Sequence, residues 1–249
     1  MVAIIAHKSV IEAATIVDDN AVAPFVAANI RDGRTSTQAA FDAGVTGYIE
    51  FDTGAVNAVN YWAIAGHNLQ SVGATIELFG SADGVIWNSI ESKAPTNNNV
   101  LLWVLGSTEN YRYWKIELTN QAATVLISDF SAGEYLQLPN KMPINYLAPK
   151  YNDKSQVRVS KSRNGGFVGL SVIDGNKEAD IRLRNVPNSW FESNWLDLIE
   201  TIKIKPFYFI WDSTNYPEDG LFCWLKKNVP SAPFRGVYQG TSIRVEGIT

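Results

Sequence analysis

The run Val56-Asn-Ala-Val-Asn-Tyr-Trp-Ala-Ile-Ala65, broken at Gly66-His67-Asn68, opens the part of the chain whose pattern decides the fold. A second run follows, Ala74-Thr-Ile-Glu-Leu-Phe-Gly-Ser-Ala-Asp-Gly-Val-Ile-Trp87, and after a polar loop a third, Tyr111-Arg-Tyr-Trp-Lys-Ile-Glu-Leu118. In the third, Tyr111, Tyr113, Lys115 and Glu117 alternate with Arg112, Trp114, Ile116 and Leu118. Successive side chains on a strand point to opposite faces, so this pattern predicts a sheet with one packed face. Ser81-Ala-Asp-Gly84 predicts a tight hairpin, because Asp-Gly accepts the positive φ such a turn needs. Together the runs predict a β-sandwich.

Working outward, Asn29-Ile-Arg-Asp-Gly-Arg-Thr-Ser-Thr37 and Tyr48-Ile-Glu-Phe-Asp52 precede Ser81-Ala-Asp-Gly-Val-Ile-Trp87 and Tyr111-Arg-Tyr-Trp-Lys-Ile116. In that order the four segments resemble discoidin-like (coagulation factor 5/8 type C, galactose-binding-like) domains, over about the first 138 residues. With Ala-Gly-His-Asn-Leu at 65–69, the variant is similar to copies carried in bacteriophage tail proteins. The resemblance implies a jelly-roll sandwich with Trp87 and Trp114 at core positions. It also implies a loop that in many relatives holds a structural calcium. Here only Asp32 supplies a carboxylate, beside Thr37, and Arg31 and Arg34 flank it. A plain turn with an Asp–Arg contact is the alternative, and no other cofactor is expected.

The chain has 249 residues, 46% of them hydrophobic and 12% aromatic, which suits one large domain or two ordinary ones with a proper core. A net charge of −4 without a basic run argues against nucleic-acid or anionic-membrane binding. The single cysteine, Cys223, excludes an internal disulfide framework and reads as a buried thiol between Phe222 and Trp224. The apolar run after Met1 is too short for a signal-peptide core, and no stretch reaches the ~20 apolar residues of a membrane span. Synthesis in the host cytoplasm and incorporation in a virion is the expected route.

In chain order, residues 2–6 and 11–17 predict short strands, Asp18-Asp-Asn20 a turn, and residues 94–100 an exposed loop. Three prolines between Leu136 and Pro149 predict an extended linker lying on a surface, taken as the boundary at 139–152. Beyond it, 156–160 and 167–173 predict strands around Asn164-Gly-Gly166, and Ala179–Arg184 follows a turn at 174–176. A helix near 189–203 is signalled by Phe191, Trp195, Leu198, Ile199 and Ile202 on one face, by a Ser189/Glu192 capping box, and by Pro206 beyond its end. Strands at 207–211, 221–225, 234–238 and 241–245 complete a β-rich α+β domain, 153–249. This half faintly resembles phage distal-tail and tail-tip proteins, which implies a ring-forming role.

Catalytic chemistry is not signalled. His7 and His67 are the only imidazoles, and no nucleophile elbow, phosphate loop or Cys-x-x-Cys pair occurs. Asp174, Glu178 and Asp180 form the one conceivable glycosidase set, in a turn-rich segment without sign of a cleft. The expectation is a non-enzymatic tail-tip or baseplate subunit whose partners are its own copies and other tail proteins. The alternative is a module contacting host-surface glycan. Sugar-binding relatives stack exposed aromatics on pyranoses beside His, Arg or Asn, which makes His67, Asn68, Arg112 and Trp62 the candidates. Against that stand a core position for Trp62 in its strand and a backbone-capping role for His67 and Asn68.

Overall fold

The computed structural model describes residues 2–143, 146–173, 175–226, 234–235 and 237–249. The first strands in chain order are β1 (Ile4–Ala6), β2 (Thr15–Asp19), β3 (Ala39–Phe41), β4 (Gly47–His67) and β5 (Thr75–Ser81). Next come β6 (Asn88–Lys93), β7 (Leu101–Thr119), β8 (Val125–Gly133) and β9 (Leu136–Gln137). The second half contributes β10 (Gln156–Lys161), β11 (Phe167–Ile173), β12 (Lys177–Pro187) and the helix α1 (Asn188–Ile202). The chain closes with β13 (Phe207–Ile210), β14 (Gly220–Leu225), β15 (Phe234–Arg235) and β16 (Tyr238–Ile248). The chain is mainly β, as expected.

One antiparallel sheet runs β3-β8-β4-β7-β5-β6, with β2 on β4. It folds into two layers because β4 and β7 are long and bend. Their pairing slips between Asp52 and Asn57 and again between Val59 and Tyr61. Strands that turn a corner at bulges can serve both layers of a sandwich. In the outer layer, Ile49 and Phe51 of β4 pair with Ile116 and Trp114 of β7. In the inner layer, Trp62 and Ile64 of β4 pair with Trp103 and Leu101. All eight belong to one buried cluster, so the two layers share a core.

The reverse side of the inner layer is apolar too. Tyr61, Ala63, Ala65 and Leu102 meet Ile4, Ala6, Tyr208, Ile210 and Phe222 in a second cluster. Those last five come from the other large sheet, ordered β12-β16-β14-β13-β1-β9. Its far face carries Ile5, Phe207, Phe209, Leu221 and Cys223 against Phe191, Trp195, Leu198, Ile199 and Ile202 of α1. A strand covered on both faces needs an unbroken apolar run, which explains Ile4-Ile-Ala6 and Phe207-Tyr-Phe-Ile210. The order through the molecule is outer layer, inner layer, second sheet, helix.

Several expectations shift in detail. The first strand joins the C-terminal sheet, with Ile4 opposite Ile210 and Ala6 opposite Tyr208. Leu136-Gln137 forms that sheet's edge, and Leu138 and Met142 are buried in its core rather than lying on a surface. The helix covers the predicted residues, but the capping box does not form. Pro187 is the N-cap residue and no side chain caps the first turn. Asn188 instead donates its N–H to the Val237 carbonyl. The alternation in β7 holds from Tyr113 to Leu118 but inverts before it, where the slipped pairing turns Tyr111 onto the core and leaves Arg112 outside. Parts of the linker (144–145), the turn at Asp174 and position 236 lie outside the described residues.

One element stands apart. β10 and β11 form a two-stranded sheet of their own, joined through Gly165 at φ 80°. Val157 lies opposite Val172 and Val159 opposite Leu170, so these four share a face, while Arg158 and Ser171 share the other. The ribbon is amphipathic, and its apolar face is open: Val157, Val159, Val168, Leu170 and Val172 are between 51% and 66% exposed.

Candidate functional site

His67 ends β4 opposite Ile127 of β8, inside the strand rather than in a turn. Its Nε2–H donates to the Asn99 carbonyl at 2.8 Å, and its Nδ1 accepts the Leu69 N–H at 3.3 Å. That pairing requires a neutral ring, and burial lowers the ring's pKa. Asn68 donates to the Thr124 carbonyl at 2.9 Å and accepts the Leu126 N–H at 2.8 Å. Both side chains clamp backbone, the capping role weighed from sequence.

Trp62 is fully buried and leans on Trp103 with centroids 4.4 Å apart. Its indole N–H donates to Glu91 Oε2 at 2.9 Å. A ring without exposed faces offers no stacking platform, so Trp62 is corrected from candidate sugar contact to core residue. Trp87 departs the other way. It is half-buried on the outer face, where the Lys115 ammonium sits 5.0 Å from its ring centroid and 4.7 Å from that of Phe79. Asp32 spends both oxygens locally, accepting the Arg34 N–H at 2.9 Å and the Thr37 hydroxyl at 2.7 Å. It closes a turn with backbone and Thr37, not with an Arg side chain, and among the described residues no cluster of acids, His and Cys fits a metal ion.

Arg112 is the candidate that reaches the surface with its polar atoms displayed. It forks onto Asp52, Nε to Oδ1 at 2.8 Å and an Nη to Oδ2 at 2.7 Å, and its guanidinium lies 4.9 Å from the Tyr113 centroid. The slipped pairing of β4 creates this arrangement, since Asp52 stands opposite Tyr113 just before the pairing shifts. The guanidinium holds the Asp52 carboxyl down at about 2, helped by the Gly54 N–H. The result is a guanidinium paired to a carboxylate beside an aromatic ring, half-buried at the surface. Such a set suits neighbouring hydroxyls on a polar ligand. His67 lies toward the opposite end of β4, so the sequence candidates do not converge.

Sequence reasoning missed a site at the seam between inner layer and second sheet. Asp129 of β8 is 6% exposed and accepts the Tyr208 hydroxyl of β13 at 2.6 Å. Burial lifts its carboxyl to about 7, with Tyr208 opposing and Asp32 and Glu12 adding to the rise. A cavity of about 100 Å³ lies alongside, lined by His7, Ser9, Arg31 and Lys205 among others. The packing of the second sheet on the inner layer brings these segments together, and no local motif announces it.

No family model matches the chain, and no curated protein matches it. Solved structures similar to about half of it include carbohydrate-binding modules. The module CBM32-1 from a family 31 glycoside hydrolase of Clostridium perfringens is 16% identical, covering 51% of this chain and 99% of that one, at a TM-score of 0.44. A pectin binding carbohydrate binding module is 16% identical over 52% and 96% of the two chains, at 0.40. Chitosan-binding module 1 from a Paenibacillus sp. IK-5 chitosanase/glucanase is 16% identical over 51% and 100%, at 0.43. SpGH29 is matched over 28% of its own length.

Proposed function

We infer that the chain is a structural subunit that assembles with copies of itself, and that it has no catalytic role. The observation that carries this reading is the β10–β11 ribbon. An isolated two-stranded hairpin is marginal in water, and one with an open apolar face needs a cover. Covering five side chains that are now a little over half exposed is worth on the order of 5 kcal/mol, enough to favour association. In the setting that the tail-protein resemblance implies, the assembly is a ring in the tail tip of a long-tailed phage virion, with other tail proteins as further partners. Light scattering on the purified chain tests the reading. A discrete oligomer that Val159→Ser with Leu170→Ser reduces to monomer supports it, and a wild-type monomer at high concentration overturns it.

A second reading rests on the half-buried Arg112–Asp52–Tyr113 group at the surface: recognition of a glycan on a host surface. The carbohydrate-binding names of the similar structures agree with it but carry no weight at their level of likeness. Binding of host-surface polysaccharide by the chain, lost in Arg112→Ala and kept in His67→Ala, supports this reading. Equal binding by wild type and Arg112→Ala removes that site.

A further inference from the structure

The outer face of the sandwich gathers acids that its contacts within one chain relieve only in part. Direct cross-strand partners share a face, and here they place Glu77 of β5 opposite Glu117 of β7. Asp18 of β2 stands opposite Glu50 of β4. Like charges directly opposite on a sheet are destabilising. Lys115 is the cation among them, bridging Glu117 at 3.1 Å. Burial holds the Glu50 carboxyl above its ordinary range; Lys115 opposes the rise, and Asp18 and Glu117 add to it. Apolar surface lies beside the acids, on Phe79, on half-buried Trp87 and on the exposed Val85 and Ile86 of the neighbouring hairpin.

The β10–β11 ribbon has the opposite character. Residues 156–173 hold Arg158, Lys161 and Arg163 and no acid. Removing those three from the 21 basic residues leaves 18 against 25 acids, a net of −7 for the rest of the chain. Lys161 lies at the end of the strand that presents Val157 and Val159, and Arg163 lies in the adjoining turn. The ribbon therefore joins an apolar face to a cationic tip.

We propose that the β10–β11 ribbon of one copy seats on the acidic outer face of the sandwich of the next copy, its apolar face over Phe79 and the 85–87 hairpin and its cationic tip beside Glu77 and Glu117. The inference rests on the assembly reading and adds where the ribbon goes. The contact joins two different surfaces, so successive copies repeat head to tail and close a ring or extend a filament. The acids also steer the tip during encounter and select against other registers.

Charge exchange tests it by light scattering and sedimentation. Lys161→Glu with Arg163→Glu, and separately Glu77→Lys with Glu117→Lys, are each expected to weaken self-association at least tenfold. The neutral pair Glu77→Gln with Glu117→Gln, closer in shape to wild type, is expected to fall between. All four reversals in one chain restore association to within about threefold, because the attraction is re-made with its signs exchanged. Acid-face variants that associate like wild type, or a combined variant that does not recover, overturn the seating while leaving assembly through the ribbon standing. If Val159→Ser with Leu170→Ser also associates like wild type, the assembly reading itself fails.

Discussion

Replacing Asp129 by Asn removes the one ionisable carboxyl buried against Tyr208 in the seam between the sandwich and the second sheet. The wild-type carboxyl rises from 3.8 to about 7, first through burial and against the stabilising Tyr208 hydroxyl. Its folded pKa exceeds its unfolded one, so the stability it contributes is present below about 4 and is lost as pH climbs toward 7. At 1.36 kcal/mol per pH unit, the loss across that window is about 4 kcal/mol. Asn keeps an acceptor for the Tyr208 hydroxyl and carries no proton to lose. The two burial-lowered histidines, His7 and His67, work in the opposite sense over part of the same range. They are common to both proteins and cancel in the difference. Urea unfolding followed by tryptophan fluorescence at pH 4.5, 6 and 8 reads the effect. Part of the loss already lies below pH 4.5, so the variant is expected to gain about 3 kcal/mol on wild type between the extremes, a shift of roughly 1.5 M in midpoint at an m-value near 2 kcal/mol/M. Parallel stability curves for the two proteins would refute the reasoning, because the carboxyl would then be ionised in the seam at no cost.

Three further outcomes follow from individual contacts. Trp62→Ala empties a fully buried site beside Trp103 and is expected to cost about 3–5 kcal/mol in the same unfolding experiment. Asn68→Ala strips partners from the Leu126 N–H and the Thr124 carbonyl and is expected to cost about 1–3 kcal/mol in the same measurement. Gly66→Ala is expected to destabilise by about 1–3 kcal/mol, since φ is 61° and an added Cβ meets Ser128 Oγ at 2.5 Å; a thermal midpoint equal to wild type would contradict this.

What the sequence reveals here follows the range of the interactions. Alternation from Tyr113 to Leu118 and the apolar face of α1 are local patterns that appear in the fold, whereas Gly84 takes its positive φ of 76° in a longer loop between β5 and β6 and not in a tight hairpin. Trp87 and Trp62 show the limit of such patterns. Both are large aromatics in or beside strands, yet one lies half-open beside Lys115 and the other closes the core, a difference set by which layer each strand joins. The Asp129–Tyr208 contact spans 79 positions and depends on the second sheet packing on the sandwich, so no window of sequence contains it. The strands of the β10–β11 ribbon are legible, but its open face is not. A half-covered strand and an uncovered one read alike until the neighbours are known.

The pairing of Ala6 with Tyr208 also sets a timetable for synthesis. Those partners are 208 − 6 = 202 positions apart, so at ~5–20 residues per second the first strand leaves the ribosome roughly 10–40 s before its partner exists. The sandwich can close in that interval, since its strands lie between β2 and β8. Until β9 is made, Ile4-Ile-Ala6 has both edges unpaired, and the edge meant for β13 stays open for the whole wait, the kind of segment that recruits a wrong partner. The second sheet is finished only when the last strands return to the first residues made. A fragment beginning at 153 lacks that strand for good, so one edge of β13 stays unpaired and its Tyr208–Ile210 face, which meets the sandwich, stays open to water.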